Sequence, residues 1–209
     1  MITNFKTMGG RIALLALSIL FAQAAVADGD AAAGEELGYT CLGCHGIEGY
    51  RNAYPSYRVP KLGGQKAAYL AIALRGYRDG SRSHPTMIAQ ASSLTDKEID
   101  DVAAYLASIG GDTVADGGSD SQAAEKGRPE SAQACVACHG PNGVSVNAIW
   151  PTIAGQHEDY LLRSIQAYRD GTRNDPLMTA QAGILDEDQL EVLARYFAGL
   201  EGLETTEAD

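Results

Sequence analysis

The sequence predicts an all-α protein built from two tandem copies of one small unit, and three observations support this prediction. The first is a duplication: PKLGGQKAAYL (60–70) matches PTIAGQHEDYL (151–161), and YRDGSRSHPTMIAQA (77–91) matches YRDGTRNDPLMTAQA (168–182), each at a separation of 91 residues. The second is apolar spacing at i, i+3, i+4 and i+7, which is typical of helices. The third is that no stretch shows the sustained alternation of a half-buried strand. A chain of 209 residues is long enough for two such units.

The N-terminus has the features of an export signal. Lys6 and Arg11 form a positive start, IALLALSILFA (12–22) is an apolar run of 11 residues, and Ala25-Val26-Ala27 matches the A-x-A cleavage pattern. We therefore predict a signal peptide over residues 1–27 and a periplasmic mature protein. The run is shorter than the about 20 residues that a membrane span needs. An uncleaved interfacial anchor, with peripheral membrane association, is the alternative.

Composition divides the rest of the chain. GGDTVADGGSDSQAAEKG (110–127) is rich in Gly, Ser and Asp and lacks an apolar period, although its end can already belong to the first helix of the second copy. We predict a first domain over 28–112, a linker over 113–126, a second domain over 127–203 and a frayed polar tail over 204–209.

Each copy carries the same helical signals. The apolar spacing occurs at Leu70, Ala73, Leu74 and Tyr77, and it returns at Leu161, Ser164, Ile165 and Tyr168. The last helix of each copy should begin with a capping box, formed by Thr95 and Glu98 and by Asp186 and Gln189. Units of about 80 residues bury little surface, and the connections between these helices are long. Something other than polypeptide should therefore fill the centre of each unit.

A C-x-x-C-H motif occurs in each copy. A thioredoxin-like redox pair would need a βαβ pattern, a structural zinc site would need four ligands, and a plain disulfide would leave the histidine unexplained. C-x-x-C-H is the attachment signature of haem c, because two thiols on one helical turn can reach two vinyl groups while the imidazole points at the iron. The residues assigned to haem attachment are Cys41, Cys44 and His45 in the first copy and Cys135, Cys138 and His139 in the second.

The iron of each haem needs a second axial ligand, for which methionine is the candidate. Of the four methionines, Met1 and Met8 lie in the export signal, while Met87 and Met178 stand at equivalent positions in the two copies. Filling of the core is the other use of a lone methionine. The rival ligand in the first copy is His84, whose counterpart Asp175 does not ligate haem iron.

These motifs resemble those of a known family. C-x-x-C-H, P-x-x-x-G-Q and M-x-x-Q-A each occur twice, and each M-x-x-Q-A precedes a helix with A-x-Y. Over essentially the whole mature chain, the sequence resembles a dihaem class I cytochrome of the cytochrome c4 family. The resemblance implies two tandem class I cytochrome c domains, each wrapped around one covalently bound haem c, with their haem edges facing across a pseudo-twofold axis. It also implies that the carbonyls of Pro60 and Pro151 accept hydrogen bonds from the ligand histidines.

Other repeated residues admit two interpretations. Gln65 and Gln156 can hold a haem propionate or begin a helix, and Arg78 and Arg169 can pair with propionates or face solvent. Tyr69, Tyr105, Tyr160 and Tyr196 are assigned to core or haem-wall packing, and Trp150 to packing near the second haem. The first copy adds three residues within GIEGYRNAYPSYRV (46–59), which leaves the shape around its haem open.

Iron held by histidine and methionine has no open position, so we predict an electron carrier and not an enzyme such as a dihaem peroxidase. The expected role is to shuttle single electrons between respiratory partners, such as an upstream cytochrome or quinol-oxidising complex and a terminal oxidase. The alternative is the dihaem electron-accepting subunit of a periplasmic dehydrogenase complex. The formal net charge is −11, which excludes a nucleic-acid partner and favours docking to a basic surface.

Overall fold

The computed structural model describes residues 29–110 and 120–206. The predicted signal peptide therefore lies outside the described residues, and most of the predicted linker does too. Within these two ranges the regular structure is helical, and β-pairing is limited to three isolated bridges. None of the described helices is long and apolar enough to cross a membrane.

The first domain contains four helices: α1 (Ala31–His45), α2 (Ala67–Asp79), α3 (Pro85–Ala91) and α4 (Asp96–Ser108). Helix α4 packs against both α1 and α2, and α3 packs against α2. The core between them contains Leu42, Leu70, Leu74, Ile99, Val102 and Leu106. Small residues allow α1 and α4 to approach closely, because a Cβ at Gly34 would collide with the carbonyl group of Asp101.

The second domain repeats this plan with a broken first helix. Its elements are α5 (Ser121–Lys126), a 3₁₀ turn (Glu130–Ala132), α6 (Val136–His139), α7 (Glu158–Arg169), α8 (Pro176–Gly183) and α9 (Glu187–Ala198). The sequence Gly127-Arg128-Pro129 stands between α5 and the 3₁₀ turn. Proline has no amide hydrogen and clashes with the preceding turn, so the counterpart of α1 cannot run continuously into the second motif.

Both predicted capping boxes are present. The Thr95 hydroxyl accepts from the Glu98 amide while the Glu98 carboxylate accepts from the Thr95 amide. Asp186 and Gln189 make the same reciprocal bonds at the start of α9. These bonds satisfy amides that a helix N-terminus otherwise leaves without partners, which fixes where the last helix of each domain begins.

The ends of the second domain are more ordered than the sequence indicates. The last residues of the predicted linker form α5, where Ala124 is buried and its carbonyl accepts from the Tyr196 hydroxyl at 2.7 Å. The described part of the tail is not frayed: Glu204 pairs its backbone with Gly63 of the first domain, and Thr206 is buried. Backbone pairing of this kind does not depend on apolar side chains, so the polar composition of the tail was a misleading signal.

The two domains are joined by a symmetric pair of glutamines, Gln65 and Gln156, which together form the glutamine clasp. The Gln65 side chain accepts from the Thr152 amide and donates to the Thr152 carbonyl, both at 2.9 Å. The Gln156 side chain makes the same two bonds with the backbone of Lys61, both at 3.0 Å. Because Lys61 and Thr152 are themselves equivalent positions of the duplication, these four bonds follow a pseudo-twofold arrangement.

The extra residues of the first copy make a contact without a counterpart. The Arg58 amide donates to the Asp159 carboxylate at 3.1 Å, and the Arg51 guanidinium forms an ion pair with the same carboxylate at 3.0 Å. The residue equivalent to Asp159 in the first domain is Ala68, which offers no carboxylate. The inserted loop therefore reaches from the first domain to the start of α7 in the second.

Candidate functional site

The histidine of each motif is held in one orientation. His45 lies in the last turn of α1, and its Nδ1–H donates to the Pro60 carbonyl at 2.8 Å. His139 ends α6, and its Nδ1–H donates to the Pro151 carbonyl, also at 2.8 Å. A carbonyl can only accept, so Nδ1 carries the hydrogen and the lone pair of Nε2 is left available. Burial lowers the pKa of both imidazoles and keeps them neutral.

The four cysteines of the two motifs are half-buried free thiols. Burial raises the pKa of Cys41 and Cys135, the first cysteine of each motif, so these groups do not resemble the activated thiolates of redox enzymes. Among the described residues, no group of three or more His, Cys, Asp and Glu side chains is arranged to hold a metal ion. The raised pKa of Cys41 and Cys135 favours covalent attachment of a cofactor over a thiol redox pair.

Each candidate methionine lies on a short helix that begins with a proline and is capped by the residue before that proline. Met87 packs against the same core as Cys41, and Met178 lines an apolar cavity together with Cys135, Ile165, Leu185 and Leu193. The backbone amide of Met178 donates to the Asp175 carboxylate at 2.9 Å, and that of Met87 donates to His84 Nδ1 at 3.4 Å. The structure thus places a methionine and a motif cysteine around one hydrophobic space in each domain.

The rival ligand His84 has another use. Its Nδ1 caps α3 by accepting from the Met87 amide, and its Nε2 lies 3.1 Å from the Asn52 side-chain oxygen. One tautomer satisfies both contacts, with the hydrogen on Nε2. Asp175 caps α8 in the same manner, so the exchange of histidine for aspartate between the copies follows a shared capping role.

The structure shows which contacts are made by the repeated glutamines and arginines, for which the sequence left two interpretations open. The amides of Gln65 and Gln156 bind the backbone of the opposite domain. Arg78 pairs with Asp96 at 2.6 Å and Arg169 with Glu187 at 2.7 Å on the outer surface. Tyr105 packs against α1, at Gly38, and Tyr196 donates to α5, so both tyrosines fix the first helix of a domain to its last.

Two further candidate functional residues are not evident from the sequence motifs. Arg82 and Arg173 occupy equivalent positions and meet at the domain interface, where their backbones form an antiparallel bridge. The Nε of Arg82 is buried and has no hydrogen-bond partner among the residues that the structure describes. The duplication was the available signal, because both arginines lie in the matching blocks YRDGSR and YRDGTR.

These residues fit a covalently bound haem in each domain. In each domain two thiols are available to bond to the haem vinyl groups, and an imidazole with an available Nε2 and a methionine offer the axial donors of a low-spin haem c. The cavity beside Met178 and Cys135 is lined mostly by apolar side chains, and the unsatisfied Nε of Arg82 suits an anionic substituent. With this geometry, comparison with known proteins decides between a haem protein and the other uses of C-x-x-C.

A family model for cytochrome c matches the chain twice, over residues 31–110 and 124–201. The chain belongs to the cytochrome c family. As a dihaem cytochrome c, it binds two covalently attached haem c groups, one at each motif, and the predicted fold class and cofactors are confirmed.

Relatives place this dihaem cytochrome c close to cytochrome c4. It is 32% identical to cytochrome c4 of Pseudomonas aeruginosa, over 83% of this chain and 90% of that protein. It is 35% identical to the "Thiosulfate dehydrogenase electron acceptor" of Stutzerimonas stutzeri, over 96% of this chain and 99% of that protein. The crystal structure of reduced cytochrome c4 from Pseudomonas stutzeri matches 82% of this chain with a TM-score of 0.65 and 31% identity. The predicted resemblance to the cytochrome c4 family is confirmed, as is an electron-transfer role that is not enzymatic.

Proposed function

We propose that this dihaem cytochrome c shuttles single electrons between redox proteins of a respiratory chain, in the periplasm. The observation that carries the proposal is the doubling of one arrangement. In each domain a buried histidine is held by a proline carbonyl, and a methionine occupies the equivalent position on a capped helix.

The proposed ligands follow from this arrangement. His45 and Met87 would hold the iron of the first domain, and His139 and Met178 that of the second. The two cysteines of each motif, Cys41 with Cys44 and Cys135 with Cys138, would attach the haem. Haem c supplies reversible one-electron chemistry at its iron. The protein keeps each imidazole in the tautomer that can bind, and it packs each partly buried methionine against apolar side chains.

Carbon monoxide tests the ligation. It binds reduced haem where an axial position is open or weakly held, so the reduced wild-type protein should keep its optical spectrum when the gas is added. Met87→Ala should create one haem that binds carbon monoxide, and Met178→Ala should do the same in the other domain. A wild-type protein that binds the gas at one haem would contradict carrier function in that domain and point to catalysis or ligand sensing.

Export and partner choice are also part of the proposal. Residues 1–27 carry the signal-peptide pattern, and their removal takes away Lys6 and Arg11 but no acid, leaving a formal charge of −13. Such a chain should dock to a basic surface, for example on a terminal oxidase. The second-order rate of electron transfer to that partner should fall steeply as ionic strength rises from about 10 to 200 mM. A rate that does not change with salt would rule out electrostatic docking.

A second candidate role is supported by one specific observation. The similarity to the thiosulfate dehydrogenase electron acceptor extends over 96% of this chain. In this role the protein would accept electrons from a dehydrogenase that oxidises thiosulfate. Stopped-flow mixing of the oxidised cytochrome with such a dehydrogenase and thiosulfate distinguishes the two. Reduction within the turnover time of the enzyme, with co-elution of the pair, supports the subunit role, whereas fast reduction without co-elution supports the free shuttle.

A further inference from the structure

Six side chains from the two domains meet at the interface and form an arginine–tyrosine cluster. The cluster consists of Tyr69, Tyr77 and Arg82 from the first domain and Tyr160, Tyr168 and Arg173 from the second. Each residue stands 91 positions from its counterpart, so the cluster follows the same pseudo-twofold arrangement as the glutamine clasp.

The cluster crosses the interface in both directions. Arg173 donates to the Tyr69 hydroxyl at 3.0 Å, and Arg82 lies 3.5 Å from the Tyr160 hydroxyl. Within its own domain, each guanidinium lies over a tyrosine ring, Arg82 at 4.5 Å from the Tyr77 centroid and Arg173 at 4.4 Å from the Tyr168 centroid. The antiparallel bridge between Arg82 and Arg173 brings the two cations to adjacent backbone positions.

This pair of cations has no anionic partner in the polypeptide that the structure describes. The described ion pairs occupy Arg51, Arg58, Arg75, Arg78, Arg169 and Arg195, but neither arginine of the cluster. Burial raises the pKa of Tyr69, but Arg173 and Arg82 outweigh this effect and lower that pKa to about 8. Half-buried guanidiniums that share a site need a counter-anion, because desolvated charges are otherwise costly.

Haem c supplies carboxylates, since each haem carries two propionates. Of the repeated residues that the sequence offered for this role, Gln65 and Gln156 clasp the opposite domain, and Arg78 and Arg169 pair with carboxylates at the surface. Arg82 and Arg173 each stand five residues before a methionine of the haem site. Tyr57 connects the helix of Met87 with the arginine–tyrosine cluster. Its ring lies 6.3 Å from the ring of His84, which caps that helix, and 6.3 Å from the ring of Tyr160 in the cluster.

We propose that Arg82 and Arg173 together form one cationic seat that receives propionate carboxylates from both haems and ties their reduction potentials to each other. They are positioning residues, and they do not touch the iron. The proposal rests on the presence of two haems but not on methionine as the axial ligand. A positive charge near a haem favours the reduced form, which has one positive charge fewer than the oxidised form. Because the backbones of the two arginines pair across the interface, each cation acts on both centres.

The test is a redox titration of the mature, two-haem protein, followed optically, with haem content measured for every variant. At the wild-type midpoints, Arg82→Gln should raise the ratio of oxidised to reduced haem about ten-fold in both titration steps, a shift of about 59 mV for one electron. Arg173→Gln should do the same. Arg82→Lys keeps the charge and should recover at least half of the shift. The matched controls Arg78→Gln and Arg169→Gln remove surface arginines at equivalent positions, and they should leave both steps within two-fold.

An Arg82→Gln protein that carries two haems but titrates like Arg78→Gln would overturn the seat. A shift confined to one step would overturn its shared nature. If Arg82→Gln does not fold, infrared difference spectra of the wild type and Arg82→Lys, reduced against oxidised, decide the question. Carboxylate bands from haem labelled with ¹³C in its propionates should differ between the two proteins, and identical bands would overturn the proposal. The carbon monoxide test distinguishes this failure from failure of the carrier function, because it reports on axial ligation alone.

Discussion

At the scale of single residues, equivalent positions keep a role although their chemistry differs. His84 and Asp175 both accept a hydrogen bond from the amide of the methionine three positions later. The helix N-terminus needs an acceptor at this point, and both side chains provide one. Sequence comparison of the copies singles out His84 as an exception, whereas the structure shows the requirement that the two residues share.

Replacing His84 separates capping from ligation. His84→Ala should lower the free energy of unfolding of the first domain by about 0.5–2 kcal/mol, the usual cost of a lost cap. His84→Asp, which installs the residue of the other copy, should remain within about 0.5 kcal/mol of wild type. Denaturant unfolding at equal haem content measures both. Carbon monoxide should not bind to either variant, and binding to His84→Ala would instead make His84 an iron ligand.

The motif residues were predictable from the sequence because their chemistry depends on local spacing. Two thiols three positions apart with an adjacent imidazole require only one helical turn, and the same holds for a capping box such as Thr95 with Glu98. Gln65 was not predictable in this way, since its partner Thr152 is 87 residues distant. A long-range contact between an amide and a backbone leaves no periodic or compositional signal in one sequence.

At the scale of elements, the two copies differ where the second copy has Pro129 in place of Glu35 and where the first copy inserts a loop. Pro129 interrupts the counterpart of α1, and Tyr196 compensates by holding the separated piece α5 against α9. The loop of the first copy contacts the second domain at Asp159, which lies in the first turn of α7. The duplication therefore repeats the placement of the histidine and the methionine in each domain, while the inserted loop of the first copy adds a contact between the domains.

Asp159→Ala should release the inserted loop. Exchange of the Arg58 amide with solvent should become about five-fold faster, equivalent to about 1 kcal/mol, because this amide loses its acceptor. The global free energy of unfolding should fall by less than about 1 kcal/mol, since Arg51, Arg58 and Asp159 are partly exposed. Hydrogen–deuterium exchange with mass spectrometry of the holoprotein measures the first effect.

Glu158→Ala is the matched control, because it removes the neighbouring carboxylate, which pairs with Arg195 within the second domain. The Arg58 amide should exchange at the wild-type rate in this variant. Equal exchange in the Asp159 and Glu158 variants would mean that the loop is held by contacts other than the carboxylate of Asp159.

At the scale of the whole molecule, two symmetric features join the domains. In the glutamine clasp, uncharged side-chain amides form hydrogen bonds with the backbone of the opposite domain. The arginine–tyrosine cluster places two cations at the same interface. The bridge between Gly63 and Glu204 adds a further contact, which ties the end of the second domain to the first. Relative domain motion is the usual expectation for small interfaces, but these directional bonds specify one arrangement.

The two halves of the clasp should not contribute equally, which gives a test of its structural role. Gln65→Ala leaves the amide and carbonyl of Thr152 without partners, and Thr152 is 1% exposed. We expect this variant to lower the free energy of unfolding by about 2–4 kcal/mol, since each buried unsatisfied group costs about 1–3 kcal/mol. Gln156→Ala exposes the backbone of Lys61, which is only partly buried and can bind water, so its cost should be about 1–2 kcal/mol.

Thermal unfolding at equal haem content ranks the two variants, and exchange of the Thr152 amide reports on the interface directly. Gln133→Ala, at an exposed position of the second domain, is the control and should behave as wild type. If Gln156→Ala lowers the stability more than Gln65→Ala does, the burial of the bonded backbone groups does not determine how much each glutamine stabilises the interface. If Gln65→Ala shifts the reduction potentials without changing stability, Gln65 contacts a haem propionate, which would restore the other interpretation of its sequence.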